Sequence, residues 1–509
     1  MGWWILLAIV VFFAAVALYD VLQTKHAILR NYPIIGHLRY ILEAVGPELR
    51  QYIVTNNDEE RPFSRDERRW VYASSKKQNN YFAFGTDNDP EKSPNYLVLK
   101  HAVFPFPEPE AGSEGYDALH PIACGKVLGA ARGRKHAFRP ASAIYISGMS
   151  YGSLSAAAVE AMNRGAQVAG CLQNTGEGGI SPHHRHGGEL IWQVGTGYFG
   201  CRDLKGHFSL DELQERVGQN NVKAIEIKLS QGAKPGRGGV LPASKITAEI
   251  AAIRGISMGA DCISPAHHTA FHDADSMLDF VERIADATGL PVGIKSAVGM
   301  NEFWIELADL MASTGRGVDY IAIDGGEGGT GAAPLVFADR VSLPFKIGFA
   351  RVYNIFHERG LQEQVVFAGS GKLGFPHLSL FAFAMGCDMV GVAREPMLSI
   401  GCIQAQRCHT GHCPTGVATQ NKWLMRGLDP TDKAARLANY MVTLRKEIMW
   451  LTRAAGVEHP CQVTLEHFEV LDECFGSRSA HDVFGYRGPR HVETPESGRQ
   501  LKRQPDLVS

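Results

Sequence analysis

From about residue 140 the chain alternates short apolar runs, each ending in Gly, Ser, Asn or Lys, with longer stretches whose apolar residues fall on one helical face. This alternation is the signature of βα repetition. The runs predicted as strands are 143–149, 170–174, 224–229, 261–264, 291–296, 319–323, 365–369 and 388–393. Between them, residues 276–288 place Met277, Leu278, Val281, Ile284 and Ala285 on one face, and residues 301–314 do the same with Ile305, Ala308, Leu310 and Met311. Eight βα units predict a (β/α)8 TIM barrel of the α/β class, with a doubly wound sheet as the alternative. The stretch between the second and third predicted strands is too long for a simple crossover. Its His183-His184-Arg185-His186-Gly187-Gly188 run reads as an inserted active-site loop.

The pattern changes at both ends. Residues 3–19 are apolar and uncharged, and as a helix they span about 25 Å, near the lower limit for crossing a bilayer. Residues 1–22 are therefore expected to form a single transmembrane anchor. Lys25, Arg30 and Arg39 follow it and no basic residue precedes it, which puts the body of the protein in the cytoplasm. Ala15-Val16-Ala17 resembles a signal-peptidase site, the competing reading. Residues 23–139 hold no sustained helical period and are expected to be an irregular lead-in. Residues 140–425 are the barrel, and 426–509 a helical extension, over 430–456, that ends in a polar tail. The last dozen residues, rich in Arg, Lys, Gln and Pro, are expected to be disordered.

Composition narrows the function classes. With 45% apolar and 20% charged residues the chain can build a large core. Lys and Arg total 51 against 53 acidic residues, a net charge of −2, which gives no electrostatic case for nucleic acid as a partner. Ten cysteines lie too far apart for a secreted disulfide scaffold and fit a reducing compartment. The 55 glycines cluster in runs such as Gly176-Glu177-Gly178-Gly179, Gly236-Arg237-Gly238-Gly239 and Gly325-Gly326-Glu327-Gly328-Gly329, loops that bring backbone amides close to a ligand.

In such a barrel the C-terminal ends of the strands build the active site. The first predicted strand runs into Ser147-Gly148-Met149-Ser150-Tyr151-Gly152, small residues against which a flat ring can lie. The second ends at Asn174-Thr175-Gly176-Glu177, the third carries Lys228 and the fifth carries Lys295. A lysine inside an apolar strand is costly unless it is paired or aimed at an anion. Both lysines are therefore site candidates, one of them for the N1 region of a reduced flavin, with a structural ion pair as the alternative. The seventh and eighth strands end in Gly369-Ser370-Gly371-Lys372 and Gly391-Val392-Ala393-Arg394, where barrels bind phosphate through backbone amides. Together these segments imply an FMN site. Its candidates are Gly148, Met149, Ser150, Asn174, Lys228, Lys295, Gly328, Gly329, Gly371, Gly391 and Arg394. A GxGxxG turn in a strand–helix context is missing, so no dinucleotide site is expected.

Further on, Cys402, Cys408 and Cys413 form a C-x5-C-x4-C array closed by Pro414. Three thiolates in a dozen residues suit an iron–sulfur cluster held by three cysteines, a cluster missing one iron. Zinc with His409 or His412 as fourth ligand is the alternative, and thiols that bind nothing are the third. His267-His268 is read as a loop-structuring pair, with a metal or acid–base role as the alternative.

Four segments in order closely resemble the FMN and iron–sulfur domain of glutamate synthase: Asn174 to Gly179, Lys228 to Gly239, Gly328 to Pro334, and Gly401 to Gln420 with its Cys-Pro-Thr-Gly-Val-Ala-Thr-Gln ending. The resemblance covers roughly residues 140 to 425. It implies a 3Fe-4S cluster on Cys402, Cys408 and Cys413 that relays electrons to FMN, and a hydride passed from the flavin to 2-iminoglutarate. By the same resemblance Gln231 and Lys234 bind the carboxylates of 2-oxoglutarate, Lys228 lies near flavin and substrate, and Glu177 completes the catalytic set. Ile180 stands where the family usually has an acidic residue, and Val240 where it commonly has a polar one. With Met1 and an apolar helix in place of an amidotransferase domain, and no C-terminal β-helical domain, no glutamine hydrolysis is expected. Ammonia would come from solution or a partner, and electrons from a donor protein or reductase subunit. Two other functions stay open at this point: a flavin-dependent reductase of another oxo acid or imine, and a membrane electron-transfer component.

Overall fold

Eight parallel strands close on themselves, each paired with the next in sequence: β1 (Ile144–Ile146), β2 (Gln173–Asn174), β3 (Leu190–Val194), β4 (Val222–Lys228), β5 (Val292–Ser296), β6 (Tyr320–Asp324), β7 (Val366–Ser370) and β8 (Met389–Val392), with β8 returning to β1. The computed structural model describes residues 2–487 except Thr24, Phe82, Ala83, Glu114 and Glu473. The polar tail expected over the last dozen residues lies outside them. Residues 1–68 and 69–509 form two compact units, and the barrel belongs to the second.

Local sequence places the strands by starting and stopping the helices between them. Ser155, Thr247 and Asp273 accept the backbone N–H of Ala158, Ile250 and Ser276, which caps helices Ala156–Ala169, Ala248–Arg254 and Ala274–Thr288. Each such cap contributes about 1 kcal/mol. The same three helices stop at Gly170, Gly255 and Gly289, all with left-handed φ near +60 to +70°. Strands β3, β5, β6, β7 and β8 are buried along their whole length, as parallel strands covered by helices must be.

The barrel interior changes character along its axis. At the N-terminal ends of the strands Tyr145, Leu172, Ile191, Ala224, Tyr320 and Met389 pack with Cys124 and Leu128 into an apolar plug. Leu128 bridges to Phe138 across the floor. At the other end, Asn174, Gln193, Glu226, Lys295, Asp324 and Ser370 are buried polar residues on six different strands. The plug carries the packing, and the polar layer faces the mouth.

The strand prediction is corrected at one point. Residues 261–264 are not a barrel strand: Cys262–Ile263 pairs antiparallel with Val240–Leu241 in a separate two-stranded sheet. The third barrel strand is Leu190–Val194, inside the stretch read as an inserted loop, so Lys228 lies on the fourth strand and not the third. Beyond the barrel, helix Pro430–Ala454 packs on helix Ala156–Ala169 so tightly that a Cβ on Gly165 would stand 2.7 Å from Leu437. Strand Tyr96–Leu99 of the lead-in pairs with Phe468–Leu471 of the C-terminal extension.

In the first unit, helix Gly2–Leu22 is apolar and almost wholly exposed, with Trp3 and Leu22 at 85% and 68%. Its length and composition suit a membrane span and equally a signal sequence.

Candidate active site

Above the polar layer the strand ends surround a cleft of about 650 Å³. Of the sequence-predicted cofactor residues, all but Ser150 and Asn174 line it. Asn174 lies behind the lining, where its Oδ1 accepts the N–H of Gly176 at 3.0 Å. A Cβ on Gly148 would meet this oxygen at 2.9 Å and the side chain of Gln193 at 2.8 Å, so only glycine keeps the backbone here. Ser150 donates to Ser153 and stays off the wall.

The lining holds three groups of charge. Lys295 is buried, with its Nζ 3.3 Å from Ser147 Oγ and 3.8 Å from Asp324. Asp324 is itself held by the Ser370 hydroxyl and by the Gly232 N–H at 2.9 Å. Lys228 donates to Gln231 Oε1 at 2.6 Å and pairs with Glu177 at 3.1 Å. Lys372 and Arg394 lie on the wall with Gly371 and Gly391, and Arg394 reaches across to the Glu327 carbonyl at 2.5 Å.

Glu177 and Lys234 stand one layer behind the cleft. Burial pushes the Glu177 carboxyl up, but Lys228 and then Lys234 outweigh it and hold it below the ordinary value, so it is ionised. Lys234 is pulled down to about 8, chiefly by burial, with Lys228 adding to the effect and Glu177 opposing it. Its Nζ donates to the Gly238 carbonyl at 3.2 Å. Neither departure residue lines the cleft: Ile180 is buried in the core, and Val240 is paired with Ile263.

His268 is buried and belongs to no candidate metal-ligand group among the described residues. Its Nε2 must donate to the Lys228 carbonyl at 2.9 Å, since a carbonyl only accepts, which leaves Nδ1 to accept from the Tyr198 hydroxyl at 3.1 Å. Burial lowers its pKa to about 4, so it is neutral and secures the end of β4.

The polar layer contains residues the strand pattern did not flag. Glu226 Oε1 accepts from both Asn174 Nδ2 at 2.8 Å and Gln193 Nε2 at 2.6 Å, which fixes the orientation of both amides. Its Oε2 has no partner among the described residues. Gln193 and Asp324 line the cleft as well. All three are polar residues inside apolar strands, the same signal that marked Lys228 and Lys295.

The cysteine loop borders this wall, since a Cβ on Gly331 would stand 3.1 Å from Cys408. Cys413 is buried, and burial alone would raise its thiol. The N–H of Ala418 and groups of Thr415 and Val417 pull it below the ordinary value, the environment of a thiolate. Among Cys402, Cys408, Cys413, His409 and His412, no three donor atoms lie within 4.8 Å of one another. A single zinc ion with bonds of about 2.0–2.3 Å needs closer donors. Tyr72 of the lead-in donates to the Cys402 carbonyl at 2.8 Å.

The site is thus the mouth of a parallel βα barrel, with basic side chains at the ends of its last two strands and a lysine–carboxylate array behind the lining. The family model for the conserved region in glutamate synthase matches residues 130–458, and the chain belongs to that family, whose members are oxidoreductases acting on CH–NH2 donors. The glutamate synthase large subunit-like protein YerD of Bacillus subtilis is 39% identical over 90% of this chain and 92% of its own. The archaeal glutamate synthase (NADPH) of Methanocaldococcus jannaschii is 36% identical over 62% of this chain, which spans 59% of that protein. Among solved structures, a mutant flavocytochrome b2 with pyruvate bound aligns with 92% of this chain and 98% of its own at 14% identity and a TM-score of 0.45. The barrel assignment rests on the strand pairing and not on this likeness.

Proposed function

We propose that the protein forms glutamate by reductive amination of 2-oxoglutarate, with FMN in the cleft and electrons entering through a 3Fe-4S cluster on Cys402, Cys408 and Cys413. The observation that carries this is the Glu177–Lys228–Gln231 array, joined at 3.1 and 2.6 Å, with Lys234 behind it. The donor set suits FMN: glycine amides with Lys372 and Arg394 for a phosphate, Lys295 and the oriented Gln193 amide for a polar ring edge. The lowered Cys413 thiol supports a metal-bound thiolate in this loop, and three cysteines with no fourth nearby in sequence suit a three-iron cluster. Bound FMN supplies the two-electron reduction.

The chain's own residues do the rest. Lys234 and Gln231 hold a dicarboxylate by one charge-assisted and one neutral hydrogen bond. With a pKa near 8, Lys234 can also give a proton to the hydroxyl that leaves as ammonia condenses with the oxo group. Glu177 holds Lys228 in place beside the site by their ion pair. Helix Gly2–Leu22 is proposed as a membrane anchor with the barrel on the cytoplasmic side, and an electron-donor protein as partner. The test is anaerobic: the reduced protein is mixed with 2-oxoglutarate and ammonium, and flavin reoxidation is followed together with glutamate. Both should appear only when both substrates are present.

A further inference from the structure

Three lysines are buried among the described residues: Lys234, Lys245 and Lys295. Lys295 pairs with Asp324, and Lys234 lies in the field of Glu177. Lys245 has neither. It ends the short turn Ala243–Lys245, which follows strand Val240–Leu241 and leads into the Thr247-capped helix. From there its Nζ reaches under the cysteine loop and donates to the Cys408 carbonyl at 2.6 Å and the Ala418 carbonyl at 3.0 Å, with the Ser153 carbonyl at 3.5 Å. It is 4% exposed. Carbonyls satisfy its hydrogens but do not neutralise its charge, and a buried cation without a counter-anion is expensive. The groups whose charge would act on it, once bound as thiolates, are those of Cys408 and Cys413.

We infer that Lys245 is the built-in countercharge of the metal–thiolate group held by the cysteine loop, and that it favours the reduced, more negative state of that group. The inference rests on the cluster reading above and adds to it the residue that sets the cluster's potential. Lys245 touches the backbone of the ligand loop and not the ligand atoms, so it acts by position and charge. An ammonium fixed at this point lowers the free energy of whichever state carries more negative charge. Its other hydrogen bonds tie the first half of the loop, at Cys408, to the segment beyond the last cysteine, at Ala418.

Charge and tying can be separated by three variants of the full-length protein. Lys245→Arg keeps the charge, Lys245→Gln keeps a donor without charge, and Lys245→Met removes both. Each is assayed for iron and sulfide, and its midpoint potential is read by a redox titration monitored by EPR. Lys245→Arg should resemble the wild type. Lys245→Gln and Lys245→Met should either fail to hold iron that Lys245→Arg holds, or hold it with a cluster harder to reduce. In the second case the reduced-to-oxidised ratio at a fixed potential falls at least tenfold, which is about 59 mV for a one-electron couple. Lys245→Gln with full iron and the wild-type potential would overturn the inference, as would iron loss in all three variants alike. A wild-type protein without iron would instead remove the cluster reading on which it depends.

Discussion

The barrel mouth and the cysteine loop treat buried charge in opposite ways. At the mouth each buried lysine faces a carboxylate: Lys295 meets Asp324 at 3.8 Å, and Lys234 shares Glu177 with Lys228. Under the loop, Lys245 meets only carbonyls, with the thiols of Cys408 and Cys413 acting on it from beyond contact. The lysines of the mouth have carboxylate partners before any ligand arrives, with Glu177 shared by two of them. The sharing leaves positive charge there for a small acid to meet. The loop is balanced only when it holds something anionic, which suits a group that stays.

Several changes break or sharpen this contrast. The largest effect is expected from Cys413→Ser, which removes a proposed ligand whose thiol is held below its ordinary value. Iron content and reduction by an external donor should both be lost, while FMN remains and can still be reduced photochemically; metal analysis and the flavin spectrum decide it. Loss of flavin together with iron would show that the two regions are not independent.

Next is Glu177→Gln. It removes the carboxylate that balances Lys228 and Lys234, and glutamate formation should fall by about 10²-fold or more. Bound FMN should stay unchanged, as measured by steady-state turnover and flavin content.

Lys234→Ala should weaken 2-oxoglutarate binding by about one to two powers of ten, read by titration against the flavin spectrum. Its pH dependence sharpens the point. Because the ammonium holds the carboxylate and its pKa is about 8, wild-type affinity should be full below that pH and decline above it. The decline should vanish in Lys234→Ala.

The smallest effect concerns His268, which anchors β4 beneath Lys228. Folded, it takes a proton only near pH 4; unfolded, near 6.5. The unfolded chain therefore binds more protons between these values, and this share of stability is lost as pH falls from 6.5 towards 4. His268→Leu should cost about 1–3 kcal/mol at pH 7, by taking from the Tyr198 hydroxyl the acceptor of its proton and from the Lys228 carbonyl the donor that His268 supplies. Thermal melts across pH should show a shallower acid slope in the variant.

Much of the frame was legible in the sequence because βα repetition writes both periods plainly. Seven of the eight predicted strands are barrel strands. The eighth was hidden because Leu190–Val194 sits between Gly188 and Gly195, just after a His- and Gly-rich run, so its surroundings read as loop. Cys262–Ile263 took its place because it falls at the right interval in the alternation, although it pairs outside the barrel. Lys228 and Lys295 stood out as charges within apolar strands. Glu226, flanked by Ile225 and Ile227, offers the same signal, and only the structure shows that it orients two amides. Lys245 was not legible at all. It lies in an ordinary polar turn, and its partners are 163 and 173 residues away in the chain. Long-range pairing of that kind leaves no local pattern.

Amination of 2-oxoglutarate at the barrel mouth is the central claim. The most direct test is single-turnover reoxidation of the fully reduced, purified protein under anaerobic conditions. The prediction is that 2-oxoglutarate and ammonium together reoxidise the flavin with one glutamate formed per flavin, that either alone does not, and that Glu177→Gln slows the step without loss of FMN. A flavin that stays reduced in the presence of both, while an artificial acceptor reoxidises it at once, would contradict the assignment.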